Sequence, residues 1–175
     1  MTASGVLDGR PGPDEVTDYY RRYIEYVPDG RLLPTLARQL QATFDRVDGL
    51  GVGPDYRYDH GKWSVKEVLV HLADAERVFG YRALRIGRGD PTPMPGFEQD
   101  DWIVPGDLAH RSLDDVKAEL TALREGTVAL FRGLTDDALL RKGTADGVTF
   151  TPRAIAWIIA GHELHHRRVL DERYR

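Results

Sequence analysis

The chain has 175 residues, of which 41% are hydrophobic and 30% charged, so it is long enough for one folded domain and is neither disordered nor collagen-like. It contains no cysteine, which excludes a disulfide framework, a zinc–thiolate site and a cysteine nucleophile. The 28 acidic residues outnumber 24 scattered basic ones, and the net charge of −4 argues against a nucleic acid or an anionic membrane as partner.

The N-terminal part, residues 1–30, is predicted to be an extension with one short helix inside Asp14–Val27. The first long helix is predicted to begin near Leu33. Pro34 is tolerated in its first turn, because the missing N–H would have no partner there in any case. The helix is expected to end at the glycine-rich residues 51–54.

Three more long helices are predicted further along the chain. Ser64 and Glu67 have the spacing of a capping box, and the helical pattern that follows them runs to about Ile86. A third helix is predicted over Ser112–Gly133 and a fourth over Thr151–Arg175, the latter with proline at its first position. Four amphipathic helices of this length bury their apolar stripes by packing as a bundle.

We therefore predict an all-α four-helix bundle in which residues 1–175 form a single domain. No segment is predicted to be a strand, because the one alternating stretch, residues 148–151, is short and runs directly into a helix start. Residues 87–111 form a long connection that is expected to cross over the bundle, packed down by Phe97 and Trp102, or to line a functional pocket. The longest apolar run is too short for a membrane span and residues 1–13 lack a signal segment, so we expect a cytoplasmic protein.

Histidines occupy core positions on two of these helices. His162 and His166 lie on the apolar stripe of the last helix, one turn apart, so both imidazoles can reach one metal ion. His165 is the alternative partner, but it lies toward the edge of that stripe. His71 occupies the apolar stripe of the second helix, and in a bundle it can complete a three-histidine site. His60 is expected at the surface.

The alternative interpretation is that these are separate core histidines, each bonded to a carbonyl or carboxylate. Clustered imidazoles without partners would cost about 1–3 kcal/mol each, whereas one metal ion satisfies all three. Glu67, Asp74 and Glu163 are candidates for orienting the outer N–H groups or for acting as bases, or they are ordinary solvated residues. His110 is expected at the surface.

Several segments resemble the DinB-like, YfiT-related superfamily of bacterial metalloproteins. They are residues 61–72 (GKWSVKEVLVHL), residues 74–79 (DAERVF), residues 88–97 and residues 160–166 (AGHELHH). The resemblance implies an up-down-down-up bundle with the long crossover between its second and third helices. It also implies a divalent metal, zinc or nickel, held by His71, His162 and His166. It further implies a homodimer and a low-molecular-weight thiol, such as bacillithiol or mycothiol, as cosubstrate.

Three functions remain open at this stage. A three-histidine site leaves a coordination position free, and the ion then acidifies a thiol or a water. The leading prediction is a metal-dependent S-transferase, in which the bound thiolate attacks a small electrophile. The alternatives are a hydrolase that uses bound hydroxide and a non-catalytic metal-binding module in stress response.

Overall fold

The computed structural model describes residues 5–103 and 108–175. In chain order, the elements are α1 (Gly5–Asp8), α2 (Asp18–Ile24), α3 (Leu32–Asp48), α4 (Val65–Gly87), α5 (Gln99–Ile103), α6 (Leu113–Arg132), α7 (Asp136–Leu140), β1 (Gly143–Ala145), β2 (Val148–Phe150) and α8 (Pro152–Arg173). Within the described part of the chain, no helix is both long and apolar enough to cross a membrane. The four long helices are those predicted from the sequence, and they form a four-helix bundle.

The capping residues predicted from the sequence are found at the starts of α4 and α8. The Ser64 hydroxyl accepts a hydrogen bond from the Glu67 N–H at 3.2 Å, and the Glu67 carboxylate accepts one from the Ser64 N–H at 2.8 Å. This is the capping box predicted for α4. Thr151 caps α8 by accepting from the Ala154 N–H at 3.1 Å, and Pro152 occupies the first helical position.

Side-chain pairs between the long helices fix the directions of the chain. Gln39 and Arg46 of α3 contact Ala160 and Asp171 of α8, so these two helices run parallel. The Tyr174 hydroxyl, just beyond α8, donates to the carbonyl of Trp63, just before α4, so those two run antiparallel.

The remaining helix, α6, runs parallel to α4. Lys66 at the start of α4 donates to the Arg111 carbonyl just before α6, and Arg124 of α6 pairs with Glu76 further along α4. The order is therefore up-down-down-up, with the long crossover between α4 and α6, as the resemblance implied.

The prediction that the chain contains no strand is wrong. Strands β1 and β2 form an antiparallel hairpin in which Ala145 pairs with Val148 across a two-residue turn. The turn residues Asp146 and Gly147 have φ angles of 54° and 68°, and Asp-Gly is a preferred pair for a turn that needs positive φ at both positions. The Asp-Gly signal was in the sequence, but strands of three residues were too short to produce a recognisable alternation.

The crossover is packed down less tightly than the sequence suggested. Phe97 is partly buried, whereas Trp102 is 48% exposed, and the two rings contact each other with centroids 4.8 Å apart. Met94 anchors the crossover to the hairpin, because its N–H donates to the Thr144 carbonyl and its carbonyl accepts from the Asp146 N–H. The crossover segment thus becomes a wall beside β1.

A polar layer divides the core of the bundle. One apolar cluster includes Leu36, Val128 and Ala160, and the other includes Leu40, Leu120 and Leu170. On each long helix, buried polar residues lie at or near the boundary between the two clusters: Gln39 on α3, His71 and Glu76 on α4, Arg124 on α6, His162 and Glu163 on α8. The candidate site belongs to this layer.

Candidate metal centre

Three imidazole rings converge between α4 and α8. The Nε2 atom of His162 lies 3.1 Å from Nε2 of His71 and 3.1 Å from Nε2 of His166. The three ring centroids form a nearly equilateral triangle with sides of 4.9, 4.9 and 4.6 Å. The structure therefore brings together the three histidines singled out from the sequence.

The spacing of the nitrogen atoms fits a shared metal ion. Two nitrogen ligands at 2.0–2.1 Å in tetrahedral geometry lie about 3.3–3.4 Å apart, so shifts of tenths of an ångström would seat an ion. Ligand atoms of His71, His162 and His166 all lie within 4.8 Å of one another. The donor set is three neutral imidazoles, which suits zinc, nickel, iron or copper.

Burial keeps these rings neutral, which leaves their lone pairs free to bind a cation. Burial lowers the pKa of His71 to about 4, with a smaller contribution from His165. Burial also lowers the pKa of His162 well below its usual value, and the neighbouring His166 and His71 lower it further. The pKa of His166 is lowered well below its usual value for the same reason, with burial the largest cause and then His71.

A glycine brings the N-terminal segment over the cluster. A β-carbon at Gly161 would overlap the backbone of Tyr23, so only glycine allows α2 to lie this close to α8. The ring of Tyr23 packs edge-on against His162, with centroids 5.4 Å apart. The extension thus contributes an aromatic side chain to the site, which the sequence pattern of residues 14–27 did not indicate.

Trp63 covers the opposite side of the cluster. Its ring lies 4.7 Å from the His71 ring and 6.5 Å from the His166 ring, and it is nearly parallel to the latter. From the sequence, Trp63 was only a hydrophobic residue before a helix. Its stacking on the His166 ring depends on the packing of α8 against α4, which the local sequence does not reveal.

The other histidines lie outside the cluster. The His165 ring is partly buried and packs against Tyr23 and Tyr26, with centroids 5.3 and 5.8 Å apart. His60 and His110 are exposed, as expected. His165 is therefore the matched control for the three converging residues.

The three carboxylates proposed to support the histidines have other partners. Glu67 binds the Ser64 N–H and the guanidinium of Arg57. The bonds to Arg57 and Ser64 outweigh the effect of burial and hold the pKa of Glu67 below its usual value. Asp74 is partly buried beside Arg77 at 3.5 Å, and burial raises its pKa. Glu67 thus stabilises the start of α4.

Glu163 is neither a solvated residue nor a partner of the cluster. It is 2% exposed and accepts hydrogen bonds from Gln39 at 2.6 Å and Thr43 at 2.5 Å. Arg124 lies 2.8 Å from Glu163 and binds both carboxylate oxygens of Glu76 at 2.9 Å. Burial alone would lower the pKa of Arg124, but the carboxylates of Glu163 and Glu76 outweigh it and raise that pKa above its usual value.

The Arg124 network was missed from the sequence, although a signal for it exists. Glu76 lies on the apolar stripe of α4, and Arg124 follows Leu120 by one turn on the stripe of α6. A charged residue at such a position predicts a buried ion pair. Its partner on another helix becomes known only from the packing.

In the part of the chain that the structure describes, two cavities large enough for a small molecule reach the histidine cluster. We call the first the tyrosine cavity; its volume is about 380 Å³ and it is lined by Tyr19, Tyr20, Tyr23, Phe79, Phe97, His71 and His162 among others. We call the second the tryptophan cavity; its volume is about 800 Å³ and its lining includes Arg57, His60, Lys62, Trp63, His166 and Tyr174. Both volumes are in the range of small-molecule sites.

Helix α5 in the crossover takes part in both cavities. Gln99 and Asp100 line the tyrosine cavity and the tryptophan cavity alike. The expectation that the crossover lines a pocket is therefore met. The cluster of imidazoles has one cavity on the side of His71 and His162 and another on the side of His166.

This fold and site define a class: four-helix bundles with the up-down-down-up order and three converging histidines from the second and last helices. The sequence model of the DinB superfamily matches residues 35–170. The chain belongs to the DinB superfamily.

Two relatives are similar over most of their length. A protein of Oceanobacillus iheyensis, named "Putative metal-dependent hydrolase OB0413", is 24% identical over 140 residues, which is 77% of this chain and 76% of that protein. The solved structure of YfiT from Bacillus subtilis superimposes with a TM-score of 0.68 and 21% identity, covering 94% of this chain and 90% of YfiT. YfiT is described as "a probable metal-dependent hydrolase with an unusual four-helix bundle topology".

Proposed function

We propose that the protein is a metal-dependent S-transferase in which His71, His162 and His166 hold a divalent zinc or nickel ion. The observation that supports this proposal is that two separate cavities reach one cluster of three neutral imidazoles. When bound, a divalent metal with an open position supplies Lewis acidity, which lowers the pKa of a thiol that occupies that position.

The residues of the chain supply position and surroundings. The imidazoles of His71 and His162 are buried and that of His166 is partly buried, so packing orients them before a substrate arrives. Tyr23 and Trp63 pack aromatic rings against His162 and His71. In the transfer, the thiol gives its proton to solvent, a carbon–sulfur bond forms, and the electrophile's leaving group departs with the electron pair of its bond.

A thiol cosubstrate is needed because the chain has no cysteine to act as the nucleophile. Two cavities can seat two organic molecules on different sides of the cluster, which a bimolecular transfer requires. We expect one to hold a low-molecular-weight thiol such as bacillithiol or mycothiol and the other the electrophile.

The test measures conjugation by the zinc- or nickel-loaded protein with bacillithiol or mycothiol and monochlorobimane. Each turnover forms a fluorescent thioether and releases chloride. Activity should require both the metal and a thiol, and it should be lost in His166→Ala but kept in His165→Ala. A metal-loaded protein that forms no conjugate with either thiol would contradict the proposal.

A metal-dependent hydrolase is the second candidate, supported by the names of both relatives. It predicts turnover of ester or amide substrates by the metal-loaded protein without any thiol. The two candidates are separated by a single comparison: addition of a thiol should be essential for the transferase and without effect for the hydrolase. Stoichiometric metal with neither activity would indicate a binding module.

A further inference from the structure

We infer that the tyrosine cavity binds a small organic cation, an ammonium or quaternary ammonium group carried by the substrate. This inference depends on the proposed function in one respect only, namely that the bound molecule is a substrate. The recognition itself depends on the walls of the cavity and does not require a metal.

The walls are aromatic on several sides. Five rings line the cavity, those of Tyr19, Tyr20, Tyr23, Phe79 and Phe97. Adjacent rings meet edge-to-face, with centroids 4.9 Å apart for Tyr19 and Tyr20 and 6.0 Å apart for Tyr20 and Phe79. The faces of aromatic rings attract cations, and a box of such rings binds quaternary ammonium groups.

The rim of the cavity is acidic. Glu98, Asp100 and Asp146 are exposed and belong to its lining, and no lysine or arginine is found among the lining residues within the described ranges. The tryptophan cavity differs, because Arg57 and Lys62 there offset Glu67 and Asp100. The two cavities at one cluster are thus suited to different molecules.

Among the described residues, two cations contact rings of the wall and do not reverse this charge. The Arg22 guanidinium lies 4.1 Å from the Tyr19 centroid and 4.9 Å from the Tyr23 centroid. The Arg82 guanidinium lies 5.8 Å from the Phe79 centroid and 5.9 Å from the Phe97 centroid. It donates to the Pro95 carbonyl at 2.9 Å, which ties the crossover to α4. Three carboxylates against the two guanidiniums of Arg22 and Arg82 leave the cavity with a net negative charge.

The Asp146 carboxylate is held in place by the fold. It lies over Gly96, where a β-carbon would come within 3.0 Å of it, so the crossover and the hairpin turn are in close contact. The histidines are at the floor of the cavity and the acids at its rim. A bound molecule would therefore place its cationic group outward and its reacting group toward the cluster.

The test uses choline and its uncharged isostere 3,3-dimethyl-1-butanol, with binding followed by calorimetry or NMR on both metal-free and zinc-loaded protein. We expect choline to bind at least about tenfold more tightly than the alcohol, since cation–π contacts and a carboxylate act together. Because metal-free protein is included, failure of metal loading or turnover leaves this measurement unaffected.

Asp146→Asn is the decisive variant. Asparagine accepts the positive φ of this turn, so the hairpin should fold as before. Choline affinity should fall about threefold to tenfold, as expected for one carboxylate near the surface. The control Asp137→Asn removes an exposed acid that is not among the described residues lining the cavity, and it should leave the affinity unchanged.

Four results would overturn the inference. One is equal binding of choline and the alcohol, another is no detectable binding of either, and the third is an equal loss in Asp137→Asn and Asp146→Asn. Tighter binding of the alcohol would also overturn it, because it would show that the site selects shape and apolar surface alone.

Discussion

The backbone of Tyr23 occupies the space that a side chain at Gly161 would need. A β-carbon there would stand less than 3.0 Å from both atoms of the Tyr23 carbonyl and 3.1 Å from the nitrogen of Ile24. The residue next to Gly161 is His162, whose ring Tyr23 covers. The glycine thus lets the N-terminal segment close over the histidine cluster.

Gly161→Ala should therefore destabilise the protein, although alanine favours helices by about 1 kcal/mol over glycine. The close approach must be relieved by moving α2, and we expect a net loss of about 1–3 kcal/mol, as for overpacked cores. Chemical denaturation measures the change. The control Gly126→Ala is on a helix face with open space around it, and it should stabilise the protein or leave it unchanged.

Substitution of single histidines should separate the converging residues from their neighbour. We expect zinc or nickel binding to weaken by more than about 100-fold in each of His71→Ala, His162→Ala and His166→Ala. Even the loss of a residue that hydrogen-bonds to a metal ligand lowers metal affinity by about 10–100-fold. His165→Ala should bind metal like the wild type, because its ring packs against Tyr23 and Tyr26 instead. Elemental analysis and calorimetric titration measure this difference.

The opposite pattern, loss of metal in His165→Ala and retention in His166→Ala, would show that the ligand set is different. In the wild type, added metal should raise the thermal midpoint as its concentration exceeds the dissociation constant, because it binds only the folded state. The midpoint of His166→Ala should respond much less.

Removal of Arg124 should be severely destabilising. Arg124→Leu leaves Glu76 and Glu163 buried without their cation, and we expect a loss of about 3–5 kcal/mol. Denaturation by urea measures it. Replacement of Arg124, Glu76 and Glu163 together by apolar residues of similar volume should recover most of the loss, since the penalty comes from the unpaired charges.

The stability of the protein should depend on Glu15 at acidic pH. Burial alone would raise the pKa of Glu15, but hydrogen bonds from Arg153, the Gly12 N–H and Thr151 outweigh it and hold the pKa below its usual 4.5. The unfolded chain then binds a proton more readily than the folded one. The contribution of Glu15 is therefore full above about pH 4.5 and is lost as the pH falls through the lower folded pKa.

Glu15→Gln should lower the stability at neutral pH and flatten its fall at acidic pH. The denaturation midpoint measured from pH 7 to pH 3 tests this expectation. Glu25→Gln, a change at an exposed position, should follow the wild-type curve. Identical pH profiles for wild type and Glu15→Gln would contradict it.

Local signals in the sequence determined most of the bundle. The capping box at Ser64, the threonine and proline at the start of α8, and the apolar stripes placed four long helices near their observed bounds. The same stripes indicated His71, His162 and His166, because an imidazole on an apolar face at helical spacing can be recognised without coordinates. A helix has one periodicity, and residues within a few turns are enough to reveal it.

Only the tertiary structure decided what lies around these residues. The roles of Tyr23, Trp63 and Glu163 depend on neighbours more than 90 positions away, and the two cavities exist because the crossover, the hairpin and the N-terminal segment meet at the cluster. Side-chain chemistry and helical periodicity are local properties of the chain. Packing decides which helix faces meet and what space remains between them, and packing depends on the whole chain at once.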